Sequence, residues 1–501
     1  MKSIDVAASV GKWFLLQYVL LALMPYFFEG IYGDGLLVLM FLYTTSYAAY
    51  WEYVPKEKRV AWIFAPYLIY LIIAVALCFI VDKWRLSLWL CLLWPVYGLG
   101  CFIGVKYVKR WYKQTKSRYR YGGAAAKFAI ALLFIALKCI CVSWECLGQG
   151  SFDGEKKELL GRRDYLTGKL VVEPEEVLDA MPSTIGEQFR GEWALYSCSM
   201  LSQALVNISR LYPETRTENL QMIDSLIGVV MSKELRRYDS MRWYEDPLET
   251  LDGNKSHVSY LSHLAWMICG YKKAGGDGKY DRMLDSLCRT MNRRICESKA
   301  MNLPTYPGEA VYVPDMLVAI VALNEYADLY GGKYRATVKR WTERAKKEWL
   351  DEGSGLLVSF LKEDGCKYDD SFVKGSYSAL NCYYLTFIDK TFARKQYDTL
   401  KRLFWKDSWV TGLKEYWDRC YYFGLDIDAG FILFELSPSG TAFLTGAATY
   451  FGDVQVRSGI LKTAEIAGHT VGCGNRRHYL LGNVALVGEA IMLAMRTHRG
   501  F

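Results

Sequence analysis

The chain has 501 residues, of which 52% are hydrophobic and 15% aromatic, and it carries a net charge of +8. This length allows two or three domains, and the apolar content excludes a mainly disordered chain. The sequence contains no GxxxxGK[ST] phosphate loop, no CxxC pair and no HExxH motif, so the strongest short signals for nucleotide, redox and zinc chemistry are missing.

Apolar runs occupy the first 145 residues of the chain. They lie near residues 13–28, 35–51, 60–81, 86–105 and 124–144. A helix needs about 20 mostly apolar residues to cross the ~30 Å hydrocarbon layer. The last three runs reach that length and the first two are shorter. The sequence therefore predicts an N-terminal bundle of about five transmembrane helices over residues 1–145.

The charges of the short loops predict the orientation of this bundle. The loop after the fourth run is rich in lysine and arginine and has no acidic residue between Lys106 and Lys127. Positively charged short loops stay in the cytoplasm. We therefore expect an integral membrane protein with a cytoplasmic N-terminus and an extracytoplasmic C-terminal domain. Because the basic residues are explained by topology, we expect no nucleic-acid partner.

After a linker and lead-in over residues 146–180, segments with helical periodicity alternate with loops. The predicted helices span residues 186–210, 218–233, 257–273, 280–296, 314–330, 334–350, 372–387, 392–404, 439–450, 454–467 and 482–496. In chain order they form five hairpins and a closing helix, with short joints inside the hairpins and long connections between them. The pattern predicts an all-α (α/α)6 toroid over residues 181–501, with a superhelical solenoid as the competing architecture.

Polar residues stand among aromatic ones in the long connections and at the starts of the predicted inner helices. The candidates for proton transfer are Glu192, Tyr196, His257, Asp315, Asp426 and Asp428. The candidates for substrate binding are Tyr306, Glu309, Tyr312, Tyr377, Trp417, Tyr421 and Arg476. Structural roles compete with these: Asp315 follows Pro314 and suits a helix cap, and Arg476 suits an ion pair that closes the ring.

Asp426 and Asp428 stand two residues apart in the segment CYYFGLDIDAGFILFELSPSG, on the longest predicted loop. Alternate residues of an extended segment point the same way, so we expect both carboxylates to face the cavity. Repulsion and burial raise the pKa of one member of such a pair, which yields one acid and one base. The sequence thus predicts proton transfer by these carboxylates, without a metal or a cofactor.

The order of several motifs resembles that of the linalool dehydratase/isomerase-like domain. In residues 181–497 these motifs are GEW and LYS, H-x-x-Y-L-x-H-L, Y-P-x(7)-D-x-x-V-A-I, G-S-x-S-A, and D-I-D-x-G followed by S-P-S-x-T-A-F and G-x-R-R-x-Y-L-x-G. The resemblance implies an (α/α)6 barrel, removal of water from small terpene alcohols without a cofactor, and an acid–base cavity containing Glu192, Tyr196 and His257. The family's thiol chemistry has no counterpart here, because no cysteine lies between Cys296 and Cys366.

The sequence leaves three functions open. The first is a membrane-anchored lyase or isomerase that adds or removes water on an alcohol or lipid-like substrate. The second is an extracytoplasmic carbohydrate-active enzyme, of the glycoside hydrolase or lyase type, that uses paired carboxylates. The third is a non-catalytic binding domain. The expected partner is accordingly a small-molecule, lipid-linked or glycan substrate.

Overall fold

The computed structural model describes residue 152 and residues 154–181, 187–369, 373–408, 410–426, 428–468, 470–479, 482 and 486–500. The predicted membrane spans lie outside the described residues. None of the helices in the described part is long and apolar enough to cross a bilayer. Apart from Val471–Gly474, the described residues form one compact unit.

Helices dominate the described part of the chain, which confirms the all-α class for these residues. They are α1 (Lys156–Leu170), α2 (Pro174–Asp179), α3 (Glu187–Leu211), α4 (Arg216–Met231), α5 (Lys233–Trp243), α6 (Val258–Lys273), α7 (Asp281–Glu297), α8 (Val313–Leu329), α9 (Arg335–Glu348), α10 (Gly375–Leu385), α11 (Lys390–Phe404), α12 (Pro438–Tyr450), α13 (Val454–Gly468) and α14 (Leu486–Thr497). A single 3-10 turn, Pro213–Thr215, precedes α4. All eleven predicted helices are present, with ends displaced by a few residues.

Six helices contact one another in a closed cycle that runs α3, α6, α8, α10, α12, α14 and back to α3. We call them the inner helices. Their sequences explain this placement, because α6 and α8 are buried on nearly every side. A helix that is mostly apolar all round is stable only when other elements surround it.

Six further helices, α1, α4, α7, α9, α11 and α13, pack against the inner helices. We call them the outer helices. The clearest case is α7, which is amphipathic: its buried residues recur at intervals of three and four, as at Leu284, Leu287, Met291 and Ile295. Such a stripe buries one face and leaves the opposite face to solvent.

The segment expected to be a linker contains α1, which is the outer partner of α14. Buried ion pairs hold it there. Arg162 Nη1 lies 3.0 Å from Glu489 Oε2, while Arg457 and Arg496 lie 2.7 Å and 3.0 Å from Glu155 Oε1. Because these bonds join the start of the described chain to its end, they fasten the closed cycle.

Helix α5 was not predicted either, since it lies in a connection that was expected to be a loop. Its N-cap is Ser232, whose hydroxyl accepts a hydrogen bond from the backbone N–H of Leu235 at 3.2 Å. The buried face of α5 includes Arg236 and Asp239 as well as apolar residues. The segment therefore lacks a regular apolar repeat, and its periodicity could not predict helix α5.

Short antiparallel strands occupy the long connections. They are β1 (Val311–Tyr312) with β2 (Phe360–Leu361), β3 (Trp405–Lys406) with β4 (Gly412–Leu413), and β5 (Phe423–Asp426) with β6 (Gly430–Leu433). Two further strands, β7 (Thr470–Cys473) and β8 (Arg476–Tyr479), precede α14. Strand β1 runs directly into α8, and β6 lies against α12. The strands thus fix the connections near the first turns of inner helices.

Candidate active site

Glu192 on α3 and Asp315 in the first turn of α8 are neighbouring carboxyl groups. Asp315 Oδ1 accepts a hydrogen bond from the Tyr196 hydroxyl at 2.8 Å, and Oδ2 accepts one from Thr305 Oγ1 at 2.7 Å. Tyr196 lies one turn after Glu192 on the same face of α3. The side chain of Asp315 is therefore held beside that of Glu192.

The surroundings of these two carboxyl groups change their acidity in the same direction. Burial, followed by the charge of Asp315, raises the pKa of Glu192 to about 7. Burial also raises the pKa of Asp315, in spite of its two hydrogen bonds. A carboxyl group with a pKa near neutrality can give up a proton and take it back. A raised pKa, which the sequence predicted for one of Asp426 and Asp428, thus occurs at Glu192 and at Asp315.

A buried lysine binds both Asp426 and Asp428. Lys374 Nζ donates to Asp426 Oδ1 at 2.9 Å and to Asp428 Oδ2 at 2.7 Å, and only 5% of its side chain is exposed. Burial by itself lowers the pKa of Lys374, but Asp428 and Asp426 reverse the shift and raise it. The two aspartates therefore share a counterion, and the expected repulsion between them is offset.

Asp426 is not the member of the predicted pair that has a raised pKa. Its Oδ1 accepts hydrogen bonds from the backbone N–H groups of Asp428 and Ala429, both at 2.9 Å, so it shapes the tip of the β5–β6 hairpin. Burial favours the neutral form, but the bonds from Lys374 and Ala429 lower the pKa of Asp426 below its usual value. Asp426 therefore stays ionised and positions Asp428.

Asp428 lies close enough to Asp315 for its charge to contribute to the raised pKa of Asp315. Burial, followed by the charge of Asp428, raises the pKa of Tyr377 well above its usual value, and Asp315 adds to this shift. The ring of Tyr312 lies edge-on to those of Tyr377 and Phe360, at centroid distances of 6.1 Å and 5.1 Å. Asp428, Tyr312 and Tyr377 are half-buried. We call Glu192, Asp315 and Asp428 the carboxylate layer.

Arg242 borders the carboxylate layer and was not predicted. Its guanidinium carbon lies 3.6 Å from the ring centroid of Tyr306, and its Nη1 donates to Glu309 Oε1 at 3.1 Å. The Tyr312 hydroxyl donates to Glu309 Oε2 at 3.4 Å. Glu309 thus connects Arg242 to the aromatic side chains beside Asp428. Arg242 lies on α5. Because the polar sequence of α5 did not predict a helix, it did not predict this residue at the site.

His257 lies next to this site but is fully buried. It precedes α6 with a positive φ of 48°. Its Nδ1 is hydrogen-bonded to Asp239 Oδ2 at 2.5 Å and its Nε2 to Glu245 Oε1 at 3.2 Å. Carboxylates engage both ring nitrogens, so the contacts of His257 fit a role in holding the connection between α5 and α6 rather than its predicted catalytic role.

Two residues predicted to bind substrate have their described contacts elsewhere. Trp417 packs beside Gly353, and Arg476 is exposed beside Gly168 at the end of α1. Tyr421 is 38% exposed and lies edge-on to Tyr416, whose hydroxyl donates to Asp426 Oδ2 at 3.5 Å. Arg476 is also not the ring-closing arginine, because Arg162, Arg457 and Arg496 have that role.

Glu415 anchors the first turn of α10, directly after Lys374. It accepts hydrogen bonds from Ser376 through the backbone N–H at 3.1 Å and the hydroxyl at 2.8 Å. Burial raises the pKa of Glu415 to about 7 in spite of these hydrogen bonds, so it is ionised in only part of the population at neutral pH. The chain approaches so closely here that a Cβ on Gly375 would lie 2.0 Å from the carbonyl oxygen of Lys414, which only glycine permits. Glu415 therefore fixes the position of Lys374.

Two surface depressions, of about 620 and 610 Å³, lie apart from the carboxylate layer. The first lies on α11 around Arg394, and the second lies around Asp364 and Tyr368. Within the described residues, no three His, Cys, Asp or Glu side chains are arranged to hold a metal ion. Comparison of the chain with known protein-family models gives no match.

Proposed function

We propose that the C-terminal domain is an (α/α)6 toroid whose carboxylate layer adds or removes water on an alcohol or lipid-like substrate. The toroid is supported by the contact between the last inner helix, α14, and the first, α3. In an open solenoid these two helices would lie at opposite ends. The six outer helices supply the second layer of the (α/α)6 arrangement.

The pairing of Glu192 with the hydrogen-bonded Asp315, where burial and the charge of Asp315 raise the pKa of Glu192 to about 7, is the observation that carries the catalytic proposal. Glu192 and Tyr196 lie on an inner helix, yet both remain partly accessible. The Glu192 carboxyl group is protonated in part of the population at neutral pH. A positioned acid or base of matched pKa contributes roughly 10²–10⁴-fold to a reaction rate.

In the dehydration direction, protonated Glu192 gives its proton to the substrate hydroxyl. The C–O bond breaks and its electron pair leaves with the water molecule. The carboxylate of Asp428 removes a proton from the adjacent carbon, whose C–H electrons form the new C=C bond. Glu192 is then ionised and Asp428 protonated, and both return to their starting states by proton exchange with solvent. Hydration is the reverse sequence.

The predicted membrane region belongs to the same proposal. Helices near residues 60–81, 86–105 and 124–144, with two shorter spans before them, anchor the domain on the extracytoplasmic side of a bilayer. A substrate dissolved in lipid is then concentrated close to the domain. This placement and the similarity to the linalool dehydratase/isomerase-like domain both favour an alcohol of low polarity.

A carbohydrate-active enzyme is the second candidate. It is favoured by the half-buried rings of Tyr312, Tyr377 and Phe360, which lie beside two carboxylates of the layer. Glycosidases cleave their substrates between two carboxyl groups. A sugar ring packed against the aromatic rings would place its glycosidic bond near Asp315 and Asp428.

A ligand screen on the full-length protein in detergent separates these functions. Terpene alcohols and oligosaccharides are tested for thermal stabilisation, because a ligand at 100 times its Kd adds about 2.7 kcal/mol to stability. Ligands that stabilise are then incubated in ¹⁸O-labelled water. The proposal predicts label in the hydroxyl group of an alcohol formed from its alkene. Release of labelled reducing sugar supports the second candidate instead.

Two variants test the assignment of the acid. Glu192→Gln removes the proton donor and should abolish turnover. The matched control is Glu297→Gln on α7, where an exposed carboxylate 3.1 Å from Arg293 is changed in the same way and turnover should persist. Unchanged turnover in Glu192→Gln contradicts the mechanism, and stabilisation by a ligand without turnover identifies a binding domain.

A further inference from the structure

Polar side chains continue beyond the carboxylate layer between the inner helices. On α10, Asn381 and Tyr384 follow Tyr377 at spacings of four and three residues, which places the three on one face of the helix. On α6, the ring of His263 lies 4.4 Å from that of Tyr196, measured between centroids. Tyr196 donates to Asp315, and the charge of Asp315 contributes to the raised pKa of Tyr384, so His263 and Tyr384 lie next to the carboxylates. We call these two residues, with Asn381 and Trp266, the second layer.

Several polar atoms in this second layer have no hydrogen-bond partner among the described residues. They are the hydroxyl of Tyr384, Nε2 of His263, Nε1 of Trp266 and both amide atoms of Asn381. Each of these residues is at most 1% exposed. A buried polar group destabilises the fold when it is left unpaired, so nearly all such groups in proteins have a partner. Several unpaired polar groups in one region indicate that they bind one shared ligand.

The second layer is compact and uncharged. The ring of Trp266 lies 5.6 Å from Tyr384 and 6.3 Å from His263, measured between centroids. Burial lowers the pKa of His263 to about 3, so its imidazole is neutral. Burial, with the nearby Tyr383 and Asp315, raises the pKa of Tyr384 well above its usual value, so its hydroxyl keeps its proton. A neutral ligand suits these groups better than an ion does.

We propose that Tyr384, His263 and Asn381 form a subsite for one neutral hydroxyl group, supplied by water or by a small alcohol. His263 Nδ1 is already bonded to Ser199 Oγ at 2.8 Å, which leaves Nε2 for the ligand. The Tyr384 hydroxyl and the Asn381 amide both donate and accept hydrogen bonds. A bound water makes two to four such bonds, as this set allows.

The subsite deepens the proposed function and rests on it in one respect. If the domain adds or removes water, the subsite binds the reacting water close to Asp315. Hydroxyl binding itself does not depend on the reaction, so it can be measured by stability alone. The failure of one proposal is therefore distinguishable from the failure of the other.

Tyr384→Phe in the full-length protein tests the subsite. If the hydroxyl binds a ligand, its removal lowers Tm. The calibrating variant is Tyr260→Phe, which removes a fully buried hydroxyl that donates to the Val230 carbonyl at 2.8 Å. We expect the two variants to lower Tm by similar amounts. A rise in Tm for Tyr384→Phe overturns the proposal, because removal of an unpaired buried hydroxyl is stabilising.

The two sources of the hydroxyl are separated by titration with 1-propanol. A rise in Tm of the wild type that is absent in Tyr384→Phe identifies an alcohol hydroxyl. Equal responses of the two proteins, together with the lower Tm of the variant, identify water. If the variant does not fold, a crystal structure of the wild type decides. An ordered oxygen within hydrogen-bond distance of Tyr384 and His263 supports the subsite, and apolar contacts at both atoms overturn it.

Discussion

Glu192 affects activity and stability in opposite directions. Its pKa is about 7 in the folded protein and near 4.5 in an unfolded chain, so the folded protein binds more protons between these pH values. Stability therefore falls as pH rises through this window, and the full loss, on the order of 3 kcal/mol, is present above it. Such a loss is typical of a group retained for its chemistry rather than for the fold.

Glu192→Gln is expected to stabilise the protein at pH 8 by roughly 2–3 kcal/mol and to have little effect at pH 4.5, because glutamine does not ionise. Thermal unfolding at both pH values measures this. Glu297→Gln on the surface of α7 should shift Tm by less than half as much at either pH. Equal stabilisation of Glu192→Gln at both pH values would show that ionisation is not the cause.

In contrast to Glu192→Gln, the removal of Lys374 is expected to destabilise the protein. Lys374→Met leaves Asp426 and Asp428 buried without their counterion, so the variant should lose roughly 3–5 kcal/mol of stability. Adding Asp426→Asn and Asp428→Asn to this variant should recover most of the loss, because no uncompensated charge remains. Urea denaturation of the single and triple variants measures the difference. Equal stabilities of the two variants would mean that the lysine acts through packing alone.

At the scale of elements, apolar periodicity located the inner helices and most of the outer ones. It failed at α1 and α5, where arginines and an aspartate take buried positions that apolar residues usually fill. Arg162 is fully buried in α1, as Asp239 is in α5. Each has a partner outside its own helix, Glu489 for Arg162 and His257 for Asp239. A periodicity search within one segment cannot detect a pairing of that kind.

The ion pairs of α1 are expected to stabilise the described unit. Arg162→Met removes the partner of buried Glu489 and should destabilise the fold by roughly 3–5 kcal/mol, with little dependence on salt. Lys156→Met is the control on the same helix, because its pair with Glu214 is exposed and should contribute at most about 1 kcal/mol. Thermal unfolding at low and high salt measures both. Equal losses in the two variants would refute a special role for the buried pair.

At the scale of the whole molecule, the sequence predicted a raised pKa for one of Asp426 and Asp428, whereas the pKa is raised at Glu192 and Asp315 and lowered at Asp426. The reason is that pKa values depend on contacts between distant segments. Lys374 lies far along the chain from Asp426 and Asp428, and Asp315 lies far from Glu192. The sequence pattern could predict that Asp426 and Asp428 lie on a loop. The contacts of Lys374 with these aspartates, and of Asp315 with Glu192, could be seen only in the folded structure.

The predicted orientation of the molecule can be tested with its own thiols. Cys296, Cys366 and Cys420 are exposed free cysteines. A membrane-impermeant maleimide should label them in intact cells if the domain is extracytoplasmic, and replacing all three with serine should reduce that labelling. Labelling that requires permeabilised cells would place the domain in the cytoplasm.

The proposed mechanism requires that a carboxyl group among the inner helices stays protonated near neutral pH. Infrared difference spectroscopy tests this requirement without a substrate. Spectra of the wild type minus Glu192→Gln are recorded from pH 5 to pH 9. We expect a protonated carboxyl band that disappears with a midpoint near pH 7. A band already absent at pH 5 would mean that Glu192 is an ordinary ionised carboxylate and would contradict its role as the acid.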